Sequence, residues 1–190
     1  EINVKNLGVD MLSASAHKFN GPKCIGFLFV KKGINMKPFM DGGDQERGLR
    51  AGTENVASII GMAVALKKAT ANIQYQRNTT CKLEEIILNG LDNANIDYIK
   101  NGSEQKLPGN LSLSFKAIEG EMLLHRLDIC GICVSTGSAC DSRSTQLSHV
   151  IKSMAIEEAY AHGTIRISLS ANNTTEEAEK ITKCLIDICG

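Results

Sequence analysis

The sequence predicts a mixed α/β protein, because short segments typical of strands alternate with longer segments of helical periodicity. Residues 25–30, "IGFLFV", form a continuous apolar run of strand length, and residues 110–115, "NLSLSF", alternate with a period of two. Residues 54–69 and 174–188 instead place apolar side chains at helical spacing behind capping residues. This order predicts helices layered on sheets, in the α/β or α+β manner.

Residues 1–90 are predicted to contain a strand hairpin and a long helical region. The predicted elements are a strand over 9–17, a break at Gly21-Pro22, a strand over 25–30, a polar glycine-rich loop over 41–52, and helical segments over 54–69 and 81–91. Thr53 is the predicted N-cap of the first helix. The Asn, Asp and Gly residues near 89–97 predict a boundary between domains at 1–90 and 91–190.

Residues 91–190 are predicted to form a smaller α+β domain. The predicted elements are a strand over 110–115, a helix over 119–131 that ends at Gly131, a strand over 132–135, a loop over 136–148, a helix over 149–155, a strand over 163–170 and a helix over 174–188. The last helix has two candidate N-caps, Thr174 and Thr175, and glutamates in its first turn.

Composition excludes several classes of protein. The 190 residues carry 21 basic and 21 acidic side chains, and aromatic residues make up 4% without any Trp, so we predict no nucleic-acid partner. The longest apolar run, 56–66, is shorter than the ~20 residues of a membrane span, so we predict no membrane association. Seven cysteines without a disulfide pattern, and no visible signal peptide, predict reduced thiols and a cytoplasmic location.

The segment "SASAHKFNGP" suggests a phosphate and amine site. Ser13, Ser15 and His17 would share one face of the first strand and offer hydrogen bonds to a phosphate. Lys18 follows at a Gly-Pro turn, where a dry pocket would keep its amine neutral and nucleophilic. This combination suggests pyridoxal phosphate (PLP) with Lys18 as its Schiff-base lysine, and the alternative is an ordinary surface lysine.

The loop "GGDQERGLRAGTEN" is a second candidate anion site. Several glycines before a capped helix expose backbone N–H groups, and Arg47 and Arg50 add charged donors. The alternative is a flexible linker with solvated charges. The loop lacks the ending of a Walker motif.

Three further positions could carry chemistry. Cys140 lies in the small-residue loop "STGSACDS", which suits a mobile thiolate nucleophile, although packing is the alternative. Arg166 lies in the apolar strand "TIRISL", where it requires either an internal salt bridge or a ligand carboxylate to clamp. Cys130 and Cys133 form "CGIC", and because no second ligand pair follows at zinc spacing, we predict core packing and no metal site.

These segments together resemble the cysteine desulfurases of the NifS/IscS type, in the class V aminotransferase group of fold-type I PLP enzymes. Four motifs carry the resemblance and follow the family's order: "SASAHKFNGPKCIG", "GGDQERGLRAGTEN", "STGSACDS" and "TIRISLSANNTTEEAEK". Three positions depart from the family pattern. Cys24 replaces a glycine after "GPK", Asp44 replaces a glycine of the second motif, and Asp141 replaces a threonine after Cys140.

The resemblance implies a role for each site residue. Lys18 would be the lysine that bonds PLP, and Thr53 would reach the cofactor phosphate of the partner subunit in a homodimer. Cys140 would be the nucleophile that becomes a persulfide, and Arg166 would hold the substrate carboxylate. The other residues expected at the cofactor are Ser15, Ala16 and His17.

The implied activity is removal of sulfur from L-cysteine to give L-alanine and a persulfide for a sulfur-acceptor protein, as in iron–sulfur cluster assembly. Selenocysteine lyase activity is a near variant, and a non-catalytic dimerisation or docking fragment is the alternative from another class. The chain begins at Glu1 and the resemblance covers the C-terminal half of such enzymes. It therefore predicts a remnant of the PLP-binding large domain followed by a small C-terminal domain. The 190-residue chain by itself is expected to be inactive.

Overall fold

A computed structural model of the chain describes residues 1–136 and 147–190. Its helices are α1 (Val4–Leu7), α2 (Gln45–Gly48), α3 (Val56–Ala71), α4 (Ile73–Asn93), α5 (Gly120–Ile129), α6 (His149–Ser153), α7 (Glu158–Ala161) and α8 (Thr175–Cys189). Its strands are β1 (Met11–Ser15), β2 (Gly26–Val30), β3 (Tyr98–Lys100), β4 (Asn110–Phe115) and β5 (Thr164–Ser168). Two compact units result, unit 1 (Glu1–Ile73) and unit 2 (Gln74–Gly190). The predicted mixture of helices and strands is confirmed in both.

Unit 1 is built on an antiparallel hairpin of β1 and β2, in which Ser15 pairs with Gly26. A 3₁₀ turn, Ala16–Phe19, joins the two strands, and α3 packs against the turn through a close approach of Gly61 to Pro22. A Cβ at Gly61 would lie 2.8 Å from Pro22 Cγ, so this contact requires glycine.

The core of unit 1 is very small. Ala16 and Ala51 are the buried hydrophobic residues of Glu1–Ile73, a segment that the structure describes throughout. No residue of the 16-residue α3 is buried. The apolar side chains Val56, Ile60 and Val64, which follow one another at helical i, i+4 spacing, are 60%, 59% and 51% exposed.

Unit 2 has a conventional two-layer core. The antiparallel sheet has the order β3-β4-β5, and period-two alternation puts Leu111, Leu113, Phe115, Ile165 and Ile167 on one face. Helices α4, α5 and α8 add apolar side chains at i, i+3 and i, i+4 spacing to the same cluster. Its helical members include Leu83, Ile87, Leu91, Leu123, Leu127, Ala178, Ile181 and Leu185.

A buried carboxylate ties α4 to the start of β4. Glu84, 8% exposed, accepts a 2.5 Å hydrogen bond from the Gly109 backbone N–H through Oε1. Its Oε2 lies 2.5 Å from Lys106 Nζ. Both oxygens of this carboxylate are therefore occupied, which a group so far from solvent requires.

Several predicted boundaries are confirmed and others are wrong. The strands at 25–30 and 110–115 are present, and the last helix is capped by Thr174 rather than Thr175, with Thr174 and Glu177 forming a reciprocal capping box. The first strand ends at Ser15 rather than at residue 17, because the chain turns into the 3₁₀ segment. Thr53 is not the N-cap of α3, since it is the side chain of Asn55 that accepts the Ser58 N–H.

The remaining differences concern short or merged elements. Helix α4 is one continuous helix of 21 residues rather than a segment over 81–91. Strand β3 and helix α7 were not predicted, and the predicted strand at 132–135 is reduced to a single bridge at Ser135. Gly131, with φ +75°, follows the end of α5 as predicted.

The described helices vary in length and in apolar content, the two properties that a membrane span requires. None of them is by itself long and apolar enough for a span; α3 and α4 reach the required length and composition only when the two are counted as one interrupted segment.

Candidate active site

The lysine segment forms a tight turn at the end of the β1–β2 hairpin. The Ala16 N–H donates to the Ile25 carbonyl at 2.9 Å, and the Gly21 N–H donates to the Ala16 carbonyl at 2.8 Å. Ala16 is 0% exposed, and a Cβ at Gly21 would lie 2.9 Å from Ala16 Cβ. The turn therefore depends on a small residue at position 16 and on glycine at position 21.

The polar side chains of this turn face solvent. Ser15 Oγ lies 3.1 Å from His17 Nδ1, and Ser15, His17 and Lys18 are all exposed. The expected shared strand face holds for Ser13 and Ser15 only, because His17 lies in the 3₁₀ turn. The expected dry pocket around Lys18 is wrong for this chain, since the lysine is exposed.

Cys24, which stands where the family pattern has a glycine, has a backbone conformation typical of glycine. Its φ is +61°, in the left-handed region that glycine adopts without strain. The family motif has a glycine at this position, and the conformation that favours glycine is retained here with a cysteine. A non-glycine residue in this region costs on the order of 1 kcal/mol.

The glycine-rich loop folds on itself before α3. The Phe39 N–H donates to the Leu49 carbonyl at 3.0 Å, and Gln45 Oε1 accepts from the Gly52 N–H at 3.1 Å. Arg50 Nη1 donates to the Ala51 carbonyl at 2.6 Å, so one of the guanidinium N–H groups is bonded within the loop. Thr53 is exposed and lies two residues before the cap of α3, so its hydroxyl is accessible to a ligand.

Arg166 lies in the middle of β5 and is half-buried. Its backbone N–H donates to the Ser135 carbonyl at 2.7 Å, and its carbonyl accepts from the Ser135 N–H at 3.1 Å. No carboxylate of residues 1–136 or 147–190 lies within ion-pair distance of its guanidinium. The internal salt bridge considered from the sequence is therefore not seen in the described part of the chain.

Residues that the sequence analysis did not select surround Arg166. Ser112 on β4 is its cross-strand partner, Ser135 is its bridge partner on the other side, and Asn101 follows β3 next to Ser112. The alternation of "NLSLSF" was the available signal, because it places its two inner serines on the face opposite the leucines.

The cysteines divide by location. Cys140 lies outside the described residues. Cys130 packs against the core of unit 2 as predicted, whereas Cys133 is exposed, so core packing is wrong for that residue. Burial raises the pKa of the Cys184 thiol, and a hydrogen bond with Cys130 raises it further. Burial also raises the pKa of Cys189 to about 11.

The side chains of the lysine turn fit PLP by their chemistry. A hydroxyl and an imidazole that contact each other at 3.1 Å offer donors to a phosphate, and the adjacent exposed amine is the group that an aldehyde requires. Ala16 offers no free backbone donor, because its N–H is already bonded to Ile25. Ala16 can therefore contribute to such a site only through packing.

Comparison with known proteins identifies the family. The family model described as aminotransferase class-V matches residues 1–181, so the chain belongs to the class-V aminotransferase family. Aminotransferases of this class are PLP-dependent enzymes, which confirms the predicted cofactor class.

Within that family the chain is similar to cysteine desulfurases. It is 40% identical over 187 residues to cysteine desulfurase IscS of Methanosarcina thermophila, which covers 98% of this chain and 46% of the relative. It is 40% identical over 186 residues to cysteine desulfurase NifS of Azotobacter vinelandii, covering 96% of this chain and 46% of the relative. The chain thus spans about half the length of the curated relatives it matches.

Solved structures give the same result. The chain matches a NifS-like protein with a TM-score of 0.86 and 38% identity, covering 98% of this chain and 48% of that one. A NifS-like protein from Rickettsia africae ESF-5 matches with a TM-score of 0.84 and 31% identity, covering 98% and 49%. The predicted α/β class and the NifS/IscS resemblance are both confirmed.

Proposed function

We propose that the chain is the C-terminal part of a PLP-dependent cysteine desulfurase, which converts L-cysteine to L-alanine and retains the sulfur as a persulfide on Cys140. The observation that carries the proposal is 40% identity, over 98% of the chain, to a protein with that activity in its name. The same proposal assigns residues 1–90 to the large domain of the whole enzyme and 91–190 to its small domain, and this limit differs from that of the two compact units, which divide the chain after Ile73.

The lysine turn would hold the cofactor. When bound, PLP supplies an electron sink for the substrate carbon chain. The Ser15 hydroxyl and the His17 ring would donate to its phosphate, with Thr53 donating from the partner subunit of a homodimer. Lys18 Nζ would bond the cofactor between turnovers and, as a free amine during turnover, move the proton of the substrate Cα.

Arg166 and Cys140 would act on the amino acid itself. The Arg166 guanidinium would bind its carboxylate through two parallel hydrogen bonds, since no described carboxylate competes for it. The Cys140 thiolate would attack the substrate sulfur, so that an S–S bond forms as the carbon–sulfur bond breaks. The carbon fragment takes up a proton and leaves as L-alanine, and the persulfide passes to an acceptor protein.

The exposed surface of unit 1 supports the view that the chain works within a larger assembly. Lys18 is exposed, and the apolar side chains of Val56, Ile60 and Val64 on α3 are 51–60% exposed. We therefore retain the prediction that the 190 residues alone do not turn over cysteine. A non-catalytic dimerisation or docking role is the competing proposal, and the cytoplasm is the proposed compartment.

The test is alanine formation from L-cysteine by the protein produced from its natural reading frame. With dithiothreitol present to reduce the persulfide, we expect alanine and sulfide in equal amounts. Both should be lost in Cys140→Ala and retained in Cys133→Ala, which removes an exposed thiol of the same unit. Absence of alanine from the wild-type protein would favour the docking role. Selenocysteine offered in parallel distinguishes the lyase variant.

A second test addresses Lys18 directly. In the isolated 190 residues, PLP followed by borohydride should label Lys18 no more than about twofold faster than Lys32, because both side chains are exposed. Selective, stoichiometric labelling of Lys18 would show that the turn binds PLP without further chain, and would contradict the proposed inactivity of this part.

A further inference from the structure

The face of the unit 2 sheet opposite the core carries a polar row that includes Arg166. Asn101, Ser112, Arg166 and Ser135 lie side by side across it, and Ser114 pairs with Thr164 in the next row. Because both backbone groups of Arg166 bond to Ser135, its pairing with Ser112 is the non-hydrogen-bonded type. Cα atoms of such pairs lie about 4.5 Å apart, the closest approach of side chains in an antiparallel sheet.

The hydrogen bonds that join Asn101, Ser114 and Thr164 have only one consistent direction. Thr164 Oγ1 donates its single hydrogen to the Ala161 carbonyl at 2.7 Å. Ser114 must then donate to Thr164 Oγ1, 2.6 Å away, and its own oxygen accepts from Asn101 Nδ2 at 2.8 Å. The reverse orientation of the Asn101 amide would draw the Ser114 hydrogen away and leave two oxygens in contact without one.

The same amide fixes the role of Ser112. The second hydrogen of Asn101 Nδ2 goes to Ser112 Oγ at 3.2 Å, so Ser112 accepts at this contact and its own hydrogen is uncommitted. Among residues 1–136 and 147–190, Ser112 has no hydrogen-bond acceptor. Asn101 is 7% exposed and its Oδ1 is buried without a partner, which shows that the amide is oriented by what it donates.

We propose that Ser112 is a second ligand of the substrate carboxylate, beside Arg166, and that Asn101 is the residue that positions it. Ser112 is the cross-strand neighbour of Arg166, its hydroxyl hydrogen is uncommitted, and the Arg166 guanidinium has no described carboxylate. Two such donors on neighbouring strands can bind one anionic group together. The inference rests on the proposed function for the identity of the substrate, an amino acid. The geometry of the donor pair comes from the sheet alone.

Binding of L-alanine, the proposed product, provides the test. In the 190-residue chain we expect L-alanine to shift the Arg166 Nε–Hε NMR signal, and L-alaninol, which lacks the carboxylate, to leave it unchanged. Ser112→Ala should raise the apparent Kd for L-alanine about tenfold, the effect of one hydrogen bond to a charged group. Ser112→Thr keeps the hydroxyl and should stay within about threefold of wild type.

Ser168→Ala is the matched control. Ser168 lies two residues after Arg166 on the same strand, on the same face, and is exposed. Its removal should leave the Kd unchanged. The inference would be overturned if Ser112→Ala bound L-alanine with the wild-type Kd. It would also be overturned if the wild type bound L-alaninol as well as L-alanine, or did not bind L-alanine.

The outcome is separable from that of the proposed function. If the natural protein makes alanine and Ser112→Ala leaves KM and kcat for L-cysteine unchanged, this inference fails while the proposed function stands. If L-alanine binds as expected but no alanine forms from L-cysteine, the donor pair stands and the proposed function fails.

Discussion

The two units of this protein differ in how they bury apolar surface. Within residues 74–136 and 147–190, unit 2 encloses a cluster of fourteen buried hydrophobic residues between its sheet and its helices. In unit 1, described throughout its length, the buried hydrophobic residues are two alanines. Each large side chain fully buried contributes about 1.5–3 kcal/mol to folding, whereas alanine contributes far less. The stability of the chain therefore resides in unit 2.

The comparison also shows where the proposed chemistry lies. The proposed carboxylate site lies on the sheet of unit 2, and the hydrophobic core of that unit supports the register of the strands. The lysine turn is built on a two-stranded hairpin with exposed side chains, and such a hairpin is marginally stable in water without further packing. We therefore expect the lysine turn to need additional covering surface before it holds the proposed cofactor, whereas the proposed carboxylate site already lies on a packed sheet.

Hydrogen exchange should show the largest difference between the units. Amides paired between β4 and β5 should exchange at least about a hundredfold more slowly than amides paired between β1 and β2, because opening of the hairpin exposes little apolar surface. Both ladders are antiparallel, so their geometry is matched. Equal protection of the two ladders would mean that unit 1 has a stability of its own.

Truncation of a leucine in each unit is the second test. Leu113 is 0% exposed in β4, and Leu113→Ala should lower the free energy of unfolding by about 2–5 kcal/mol through cavity formation. Leu28 is 49% exposed in β2, and Leu28→Ala should change it by less than about 0.5 kcal/mol. Urea denaturation followed by circular dichroism measures both, and a large loss in Leu28→Ala would contradict the comparison.

Thiol alkylation is the third test. Burial raises the pKa of Cys189 in unit 2 to about 11, from an ordinary value of 9.0, so its reactive thiolate is scarce at pH 8. Cys24 in unit 1 is exposed. Iodoacetamide should modify Cys24 more than about tenfold faster, as measured by peptide mass spectrometry over time. Comparable rates would indicate that the end of α8 opens readily.

The smallest effect concerns a surface contact of unit 2. Hydrogen bonds from Lys116 and then from Tyr160 lower the pKa of Asp97 below its usual 3.8. A lowered carboxyl pKa stabilises the fold above the unfolded-state value, and the contribution disappears as the pH falls through the folded-state value.

Asp97→Asn should therefore be slightly less stable than wild type at pH 7 and equal to it near pH 2. Urea midpoints at the two pH values decide this. A difference that persists at pH 2 would show that the side chain acts through packing rather than through charge.

Much of the fold could be predicted where a local pattern fixes the structure. The alternation in "NLSLSF" gave the limits of β4, and the threonines before the glutamates of the first turn gave the start of α8, with the cap left open between Thr174 and Thr175. Both features depend on residues close in sequence. Four dispersed motifs gave the family. Strand β3 was missed because its three residues are too few for a period to be recognised.

The errors at the candidate site have a common physical cause. Solvent exposure of Lys18 depends on which surfaces cover the turn, and the residues of the turn do not indicate which surfaces those are. Thr53 was predicted as the cap of α3, but the cap is Asn55, because the loop ends two residues later and is held by contacts such as Gln45 to Gly52. The roles of Ser112 and Asn101 required the strand pairing, which a single sequence does not provide.

The Glu84 carboxylate helps to hold the strand that carries the proposed carboxylate site in its place. It anchors Gly109, the residue immediately before β4, to a helix 25 positions earlier in the chain. Sliding β4 by one position would turn its leucines outward beside Arg166 and its serines inward among the helices. The Glu84 carboxylate therefore supports, together with the core, the register that keeps a polar face around the Arg166 guanidinium, although Glu84 is not itself one of the proposed ligands.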